Sequence, residues 1–185
     1  TRGVGATANF VENQSLGGVA AINLAFGNTS VISRNRLISW ATYGNASRTA
    51  LDFAMVNGNS SNRVQATTRA PEEFQNNVAS WIGSSSISEI GGAGFNGTLA
   101  ASLALNTLRF DTMADSVVNL GGSSLSVTGD EVAGAILVSS NTGASNKSII
   151  NGQINNFDSG SDTSYNLTYS GTSATNSRLI TAVTS

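Results

Sequence analysis

The feature that most constrains this 185-residue chain is a succession of very short apolar clusters separated by turn-forming residues. The gaps are rich in Gly, Asn, Asp and Ser, which favour tight turns. Such spacing predicts many short β-strands and leaves little room for long helices. The clearest clusters are Leu103–Leu105, Leu108–Phe110, Val117–Leu120, Leu125–Val127, Ile136–Val138, Ile149–Ile150, Ile154–Phe157 and Leu167–Tyr169.

The composition excludes several classes of chemistry. The chain has no His and no Cys, so zinc, haem, iron–sulfur and thiol chemistry lose their usual ligands, and a Ser-His-Asp triad cannot be built. A net charge of −2 argues against nucleic acid as a partner. No apolar run approaches the roughly 20 residues of a membrane span. We therefore predict no catalytic residues, no cofactor, no nucleic-acid partner and no membrane-spanning segment.

Two architectures fit such short strands, an antiparallel sandwich or barrel and a parallel β-solenoid. An apolar–x–apolar pattern recurs and favours the solenoid. Leu108 to Ile136 is 28 residues and Ile136 to Leu167 is 31, and two further clusters lie within each interval, as a three-sided coil requires. Abundant Asn and Ser beside the clusters would form side-chain ladders between stacked coils.

These observations predict an all-β chain folded as a right-handed parallel β-helix of about seven coils. Residues 1–185 would form one β-solenoid domain, irregular over 1–100 and more regular over 101–185. Pro71 followed by Glu72 and Glu73 predicts a small helical excursion from the coil near residues 70–80.

Candidate ligand sites are few. Asp158 and Asp162 lie four residues apart in a polar loop, and Asp130 and Glu131 form a second acidic pair. Hard cations such as Ca²⁺ take oxygen ligands from loops of this kind, although solvated turns have the same composition. The aromatic rings of Trp40, Tyr43 and Trp81 are candidates for stacking on sugars, or they fill volume in a core of small residues.

The order of the clusters resembles a known family. Residues 37–43, 51–56 and 62–66 are similar to one recurring block of the secreted bacterial autotransporter-associated β-strand repeat proteins. Residues 105–110, 118–120, 125–128 and 133–138 resemble the next block, and 148–154 resembles its I-x-G-G-x-L rung. The resemblance covers roughly residues 35 to 170 and implies a parallel β-helix, export from the cell, and a structural or adhesive role. It implies no catalytic residues.

We therefore expect a non-enzymatic structural or adhesive protein, secreted or held at the cell surface. Its expected partners are copies of itself, other surface or matrix proteins, or a polysaccharide, and self-assembly would give a filament or layer. Two alternatives remain, a carbohydrate-binding module and a solenoid polysaccharide lyase or hydrolase with carboxylates lining a groove. Because the chain begins at Thr1, we expect a processed protein or a piece of a longer one.

Overall fold

The computed structural model describes residues 8–11, 22–23, 37–44, 50–56, 63–67, 69–127, 135–155, 167–170 and 178–181. These residues form fifteen β-strands and three 3₁₀ turns, which confirms the all-β class. The strands are β1 Ala8–Val11, β2 Ile22–Asn23, β3 Leu37–Gly44, β4 Ala50–Val56, β5 Arg63–Ala66, β6 Ser86–Ser88, β7 Leu103–Leu105, β8 Thr107–Phe110, β9 Ser116–Asn119, β10 Ser124–Val127, β11 Ala135–Val138, β12 Asn146–Ile150, β13 Gln153–Asn155, β14 Leu167–Ser170 and β15 Arg178–Thr181; the 3₁₀ turns are Pro71–Glu73, Val78–Ser80 and Ser140–Thr142.

Three sets of parallel strands recur in a fixed order along the chain. They are β6–β8–β11, β7–β10–β13 and β9–β12, and the chain passes from β8 to β9 to β10 before it returns through β11, β12 and β13. We call these sets the parallel ladders. Leu108 pairs with Ile87 on one side and with Ile136 on the other. The predicted equivalence of Leu108 and Ile136 is therefore confirmed.

The predicted step from Ile136 to Leu167 is wrong. Leu167 lies opposite Ile149, because β14 runs antiparallel to β12, and β15 likewise runs antiparallel to β11. An alternating apolar pattern shows which side chains share a face, but it carries no information on strand direction. The cluster at Leu167–Tyr169 thus ends a ladder instead of continuing the parallel series.

The beginning of the chain forms a different sheet, which we call the leading sheet, with the strand order β1-β3-β4-β5-β2. The β3–β4, β4–β5 and β2–β5 pairs are antiparallel, and only β1–β3 is parallel. Parallel stacking is therefore wrong for these strands, and seven parallel coils do not form over the described residues. The connections at 45–49 and 57–62 are of hairpin length, whereas a parallel return needs about a dozen residues or more.

The parallel ladders enclose one apolar core, to which each ladder contributes side chains. Phe95 lies near its centre, edge-on to Phe110 with a ring-centroid distance of 5.2 Å. Strand β11 is buried on both faces: Ile136 and Val138 point into this core, and Ala135 and Leu137 pack against Phe53 of the leading sheet. The core residues are Val78, Trp81, Ile87, Phe95, Leu99, Leu105, Leu108, Phe110, Val118, Leu120, Leu125, Val127, Ile136, Val138 and Ile149.

The segment near residues 70–80 contains the predicted helical structure as two 3₁₀ turns. It is not a lateral excursion, because Phe74 pairs in parallel with Ser88 and Asn77 with Asn96. The Glu73 carboxylate accepts a hydrogen bond from the Ser86 amide at 2.6 Å. The segment therefore belongs to the stack and lies beside its first described strand, β6.

One stacked corner requires a glycine. At Gly152 a Cβ atom would overlap the side chain of Leu120 and the carbonyl oxygen of Ser123 in the preceding corner. At Gly92, by contrast, a Cβ atom would meet no atom within 4 Å. Close approach of successive corners thus determines the residue type at position 152.

Candidate functional site

Of the aromatic candidates whose side chains the structure describes, Tyr43 and Trp81, neither is fully exposed. Trp81 is 7% exposed, lies edge-on to Phe95 with a centroid distance of 5.0 Å, and donates its indole N–H to the Gln75 carbonyl at 3.1 Å. Tyr43 is half-buried in β3, and the Trp40 side chain lies outside the described part of the structure. Trp81 therefore fills volume in the core, which is the second of the two roles that the sequence leaves open for its ring.

The candidate cation ligands Asp130, Glu131, Asp158 and Asp162 all lie outside the described residues. Within the described ranges, no three His, Cys, Asp or Glu side chains come together in an arrangement that could hold a metal ion. In the same ranges, no helix is long and apolar enough to cross a membrane.

The most unusual group in the interior is the only lysine of the chain, Lys147. It lies on β12 between the exposed Asn146 and the half-buried Ser148, so it points inward with Ile149. Its side chain is 1% exposed and meets Glu89, which directly follows β6 and whose side chain is 0% exposed. We call Lys147, Glu89, Thr112 and Ser116 the Lys147 centre. We call one passage of the chain through the three parallel ladders a circuit. Glu89, Thr112 with Ser116, and Lys147 come from three successive circuits.

The Glu89 carboxylate is surrounded by hydrogen-bond donors. Its Oε2 atom accepts from the amides of Asp111 at 2.6 Å and Thr112 at 2.8 Å, and from the Thr112 hydroxyl at 3.1 Å. Its Oε1 atom accepts from the Phe95 amide at 3.1 Å and from the Ser116 hydroxyl. A buried carboxylate is costly unless it is paired and fully hydrogen-bonded, and here both requirements are met.

The Lys147 amine is also fully engaged. Nζ donates to the carbonyl oxygens of Ala114 at 2.6 Å and Thr112 at 2.9 Å, and to the Ser116 hydroxyl at 2.8 Å. It lies 3.2 Å from Oε2 and 3.4 Å from Oε1 of Glu89. Burial lowers the pKa of Lys147, and the attraction of Glu89 opposes that shift only in part. The centre thus joins an amine, a carboxyl group and a hydroxyl in a dry environment.

A second charged cluster joins the leading sheet to the parallel ladders. Asp52 on β4 accepts two hydrogen bonds from the Arg69 guanidinium, at 2.5 and 2.7 Å, and one from Arg109 on β8 at 2.7 Å. Arg69 also donates to the Ser86 carbonyl at 2.8 Å. Burial lowers the pKa of Arg109, while Asp52 raises it. We call Asp52, Arg69 and Arg109 the Asp52 junction.

Polar side chains also form a ladder along one corner. Asn151 donates its side-chain amide to Asn119 at 3.2 Å, and Asn119 donates to the Thr98 hydroxyl at 3.2 Å. Thr98 pairs in parallel with Asn119, and Asn151 directly follows Ile150, the pairing partner of Asn119 on β12. The expectation that Asn side chains form ladders between stacked strands is confirmed at this corner.

Sequence reasoning missed the Lys147 centre. Neither Lys147 nor Glu89 belongs to a motif that the sequence analysis identified. One signal was available: Lys147 precedes Ile149 by two residues in a strand, so both side chains share the inward face. The position of Glu89, 58 residues earlier, depends on the register between circuits and could not be read from a local pattern.

Searches of the chain against protein-family models, curated proteins and solved structures find no match.

Proposed function

We propose that this chain is a non-enzymatic extracellular structural or adhesive element, built on a right-handed parallel β-helix of the kind its family resemblance implies. The observation that carries the proposal is the cyclic order of the three parallel ladders around one shared core. Such an order is what a three-sided coil produces, and connections between parallel strands are right-handed in nearly all proteins.

The proposed role is mechanical. Parallel pairing satisfies the backbone groups of each strand from its neighbours in the stack, and the corner ladder from Thr98 to Asn151 adds side-chain bonds in the same direction. The two described carboxylate clusters are occupied by cationic side chains of the chain itself, Asp52 by arginines and Glu89 by Lys147. This favours rigidity over a substrate groove lined with free carboxylates.

Self-association is the mode of action that we propose for this element. Strands β14 and β15 occupy the edges at which a further parallel strand would add to β12 and β11. An antiparallel strand at an edge interrupts parallel propagation, so it disfavours end-to-end stacking at that end of the molecule. We therefore propose that copies pack through their sides into a layer or bundle.

Electron microscopy and sedimentation of the purified chain over a rising concentration series test this proposal. We expect ordered layers or laterally bundled rods, with a sedimentation coefficient that increases with concentration. Monodisperse monomers at the highest concentration, together with saturable binding to a polysaccharide, would overturn it in favour of a carbohydrate-binding module. Immunolabelling of intact producing cells checks the location, with surface labelling as the expected result.

A further inference from the structure

The Lys147 centre brings a primary amine and a carboxyl group into direct contact in the protein interior. Nζ lies within 3.4 Å of both oxygens of Glu89, so the amine faces the whole carboxyl group. We propose that Lys147 and Glu89 condense spontaneously to an intramolecular amide, so that the folded chain carries an isopeptide cross-link between Nζ and Cδ. This inference rests on the local geometry and goes beyond the proposed structural role.

The position of the amine suits the attack. Nζ lies 3.2 and 3.4 Å from the two oxygens of Glu89, and fixing the two groups side by side supplies much of the entropy that a bimolecular reaction would lose. The backbone carbonyls of Thr112 and Ala114 also accept hydrogen bonds from Nζ, at 2.9 and 2.6 Å. The amine therefore has little freedom to turn away from Glu89.

The donors on Oε2 suit the intermediate. Attack of Nζ on Cδ gives a tetrahedral carbon whose negative charge falls on Oε2. That atom already receives the amides of Asp111 and Thr112 and the hydroxyl of Thr112. Preorganised donors of this kind stabilise a developing oxyanion, most strongly where water is excluded.

The Ser116 hydroxyl provides the proton path. It accepts from Nζ at 2.8 Å and donates to Oε1 of Glu89, so it bridges the atom that loses protons and the atom that leaves. Two protons pass from the ammonium group to Oε1 through this hydroxyl. The C–N bond forms, the Cδ–Oε1 bond breaks, and Oε1 departs as water. Oε2 becomes the amide oxygen, and no oxidant, reductant or further reactant is needed.

Burial makes the neutral amine that the reaction requires easier to reach than it is for an exposed lysine. Lys147 and Glu89 are both enclosed, and Nζ lies 5.9 Å from the centre of the Phe110 ring. Burial lowers the pKa of Lys147, which increases the fraction of nucleophilic amine at neutral pH. Loss of water from an enclosed site also disfavours the reverse hydrolysis.

The bond would connect two distant parts of the chain. Glu89 follows β6 and Lys147 lies on β12, so the amide would close a loop across three circuits of the ladders. A covalent closure of this length restricts the unfolded chain, as a disulfide does, in a sequence that has no Cys. The amide would keep the end of β6 covalently connected to β12 when the chain is pulled.

The test uses the intact mass of the purified 185-residue chain after full denaturation. We expect the mass to be lower than the sequence requires by one water molecule. Because Lys147 is the only lysine, a lysine-specific protease gives a second measurement: it cuts a denatured chain with a free amine once and leaves the cross-linked chain uncut. A chain of full mass that is cut at Lys147 would overturn the proposal and leave a permanent ion pair.

The control variant is Glu89→Ala, which removes the carboxyl group and keeps the lysine. We expect its full sequence mass and complete cleavage at Lys147. If this variant still lacked the mass of one water molecule, the modification would lie elsewhere and the proposal would fail. The cross-link can form only in a folded chain, so the circular dichroism spectrum of the variant must match that of the parent before its full mass counts as support. Neither result bears on self-association, so the two proposals fail independently.

Discussion

The leading sheet and the parallel ladders are built from the same residue types but differ in topology. Strands β3 and β4 have 8 and 7 residues, whereas the ladder strands β6 to β13 have 3 to 5. The long strands are joined by connections of hairpin length and run antiparallel, and the short strands recur at intervals of a full circuit and run parallel. Connection length thus accompanies the pairing mode of β3, β4 and β5, whereas strand length does not decide it, because the four-residue strands β5 and β14 also pair antiparallel.

An apolar contact and a charged cluster are among the interactions through which the two regions meet. Phe53 packs on the outer face of β11, and Asp52 beside it binds the arginines that reach it from the ladder side. Adjacent residues of β4 therefore carry both parts of the junction. Substitutions at these two positions separate the stability of the junction from that of the ladders.

The largest effect is expected from a matched pair of Phe→Ala substitutions. Phe110 lies in the ladder core at 1% exposure and Phe53 at the junction at 0%. We expect Phe110→Ala to lower the free energy of unfolding by about 3 to 5 kcal/mol, and Phe53→Ala by less, because its small cluster can close around the cavity. Urea denaturation measures both. Equal losses would contradict a junction that closes around the cavity more completely than the ladder core does.

Removal of the carboxylate at the junction should have the next largest effect. Asp52→Ala leaves Arg69 and Arg109 buried without their shared counter-ion, and we expect a loss of about 3 kcal/mol. Hydrogen exchange should increase first over residues 50–56. The control is Glu72→Ala, at an exposed carboxylate, with an expected loss below about 1 kcal/mol. Similar losses for both variants would contradict a buried junction.

A smaller effect is expected at the stacked corner. Gly152→Ala should cost about 1 to 3 kcal/mol, because the new methyl group overlaps Leu120 and Ser123. Gly92→Ala, where the methyl group meets open space, should be neutral or stabilise by about 0.5 kcal/mol. Thermal unfolding distinguishes the two. A neutral Gly152→Ala variant would show that successive corners do not approach as closely as described.

The smallest effect is expected in the corner ladder. Asn119→Ala removes the central member, which donates to Thr98 and accepts from Asn151, and should cost about 1 kcal/mol. The exposed Asn146 on β12 provides a control, for which an alanine variant should change stability less. If the two substitutions have the same effect, the ladder makes no measurable contribution.

Much of the ladder region could be predicted from the sequence. Each apolar cluster from Leu103 to Ile150 lies within or overlaps a strand, and the spacing from Leu108 to Ile136 identified a true parallel pair. The reason is that alternation and turn residues are local signals. Strand direction is not a local signal. For this reason the parallel pairing predicted for Leu167 and for the strands of the leading sheet is wrong.

The Lys147 centre shows the same limit at the level of a site. Alternation along β12 was sufficient to place Lys147 inside, but its partners come from other circuits at sequence separations of 31 to 58 residues. Ladder register selects those partners, and register is a property of the assembled core. Sequence patterns therefore located the strands but not the chemistry between them.

The central claim is that the short strands stack in parallel, and cysteine pairs test it directly in a chain that has no native Cys. Val117 pairs with Ser148 and Asn119 with Ile150 across β9 and β12. Parallel register predicts that oxidation closes a disulfide in the double variants Val117→Cys/Ser148→Cys and Asn119→Cys/Ile150→Cys. It predicts no disulfide in Asn119→Cys/Asn146→Cys, because the Cα atoms of these two residues lie too far apart. A disulfide in the last variant and none in the second would mean that β9 and β12 run antiparallel, and would contradict the account.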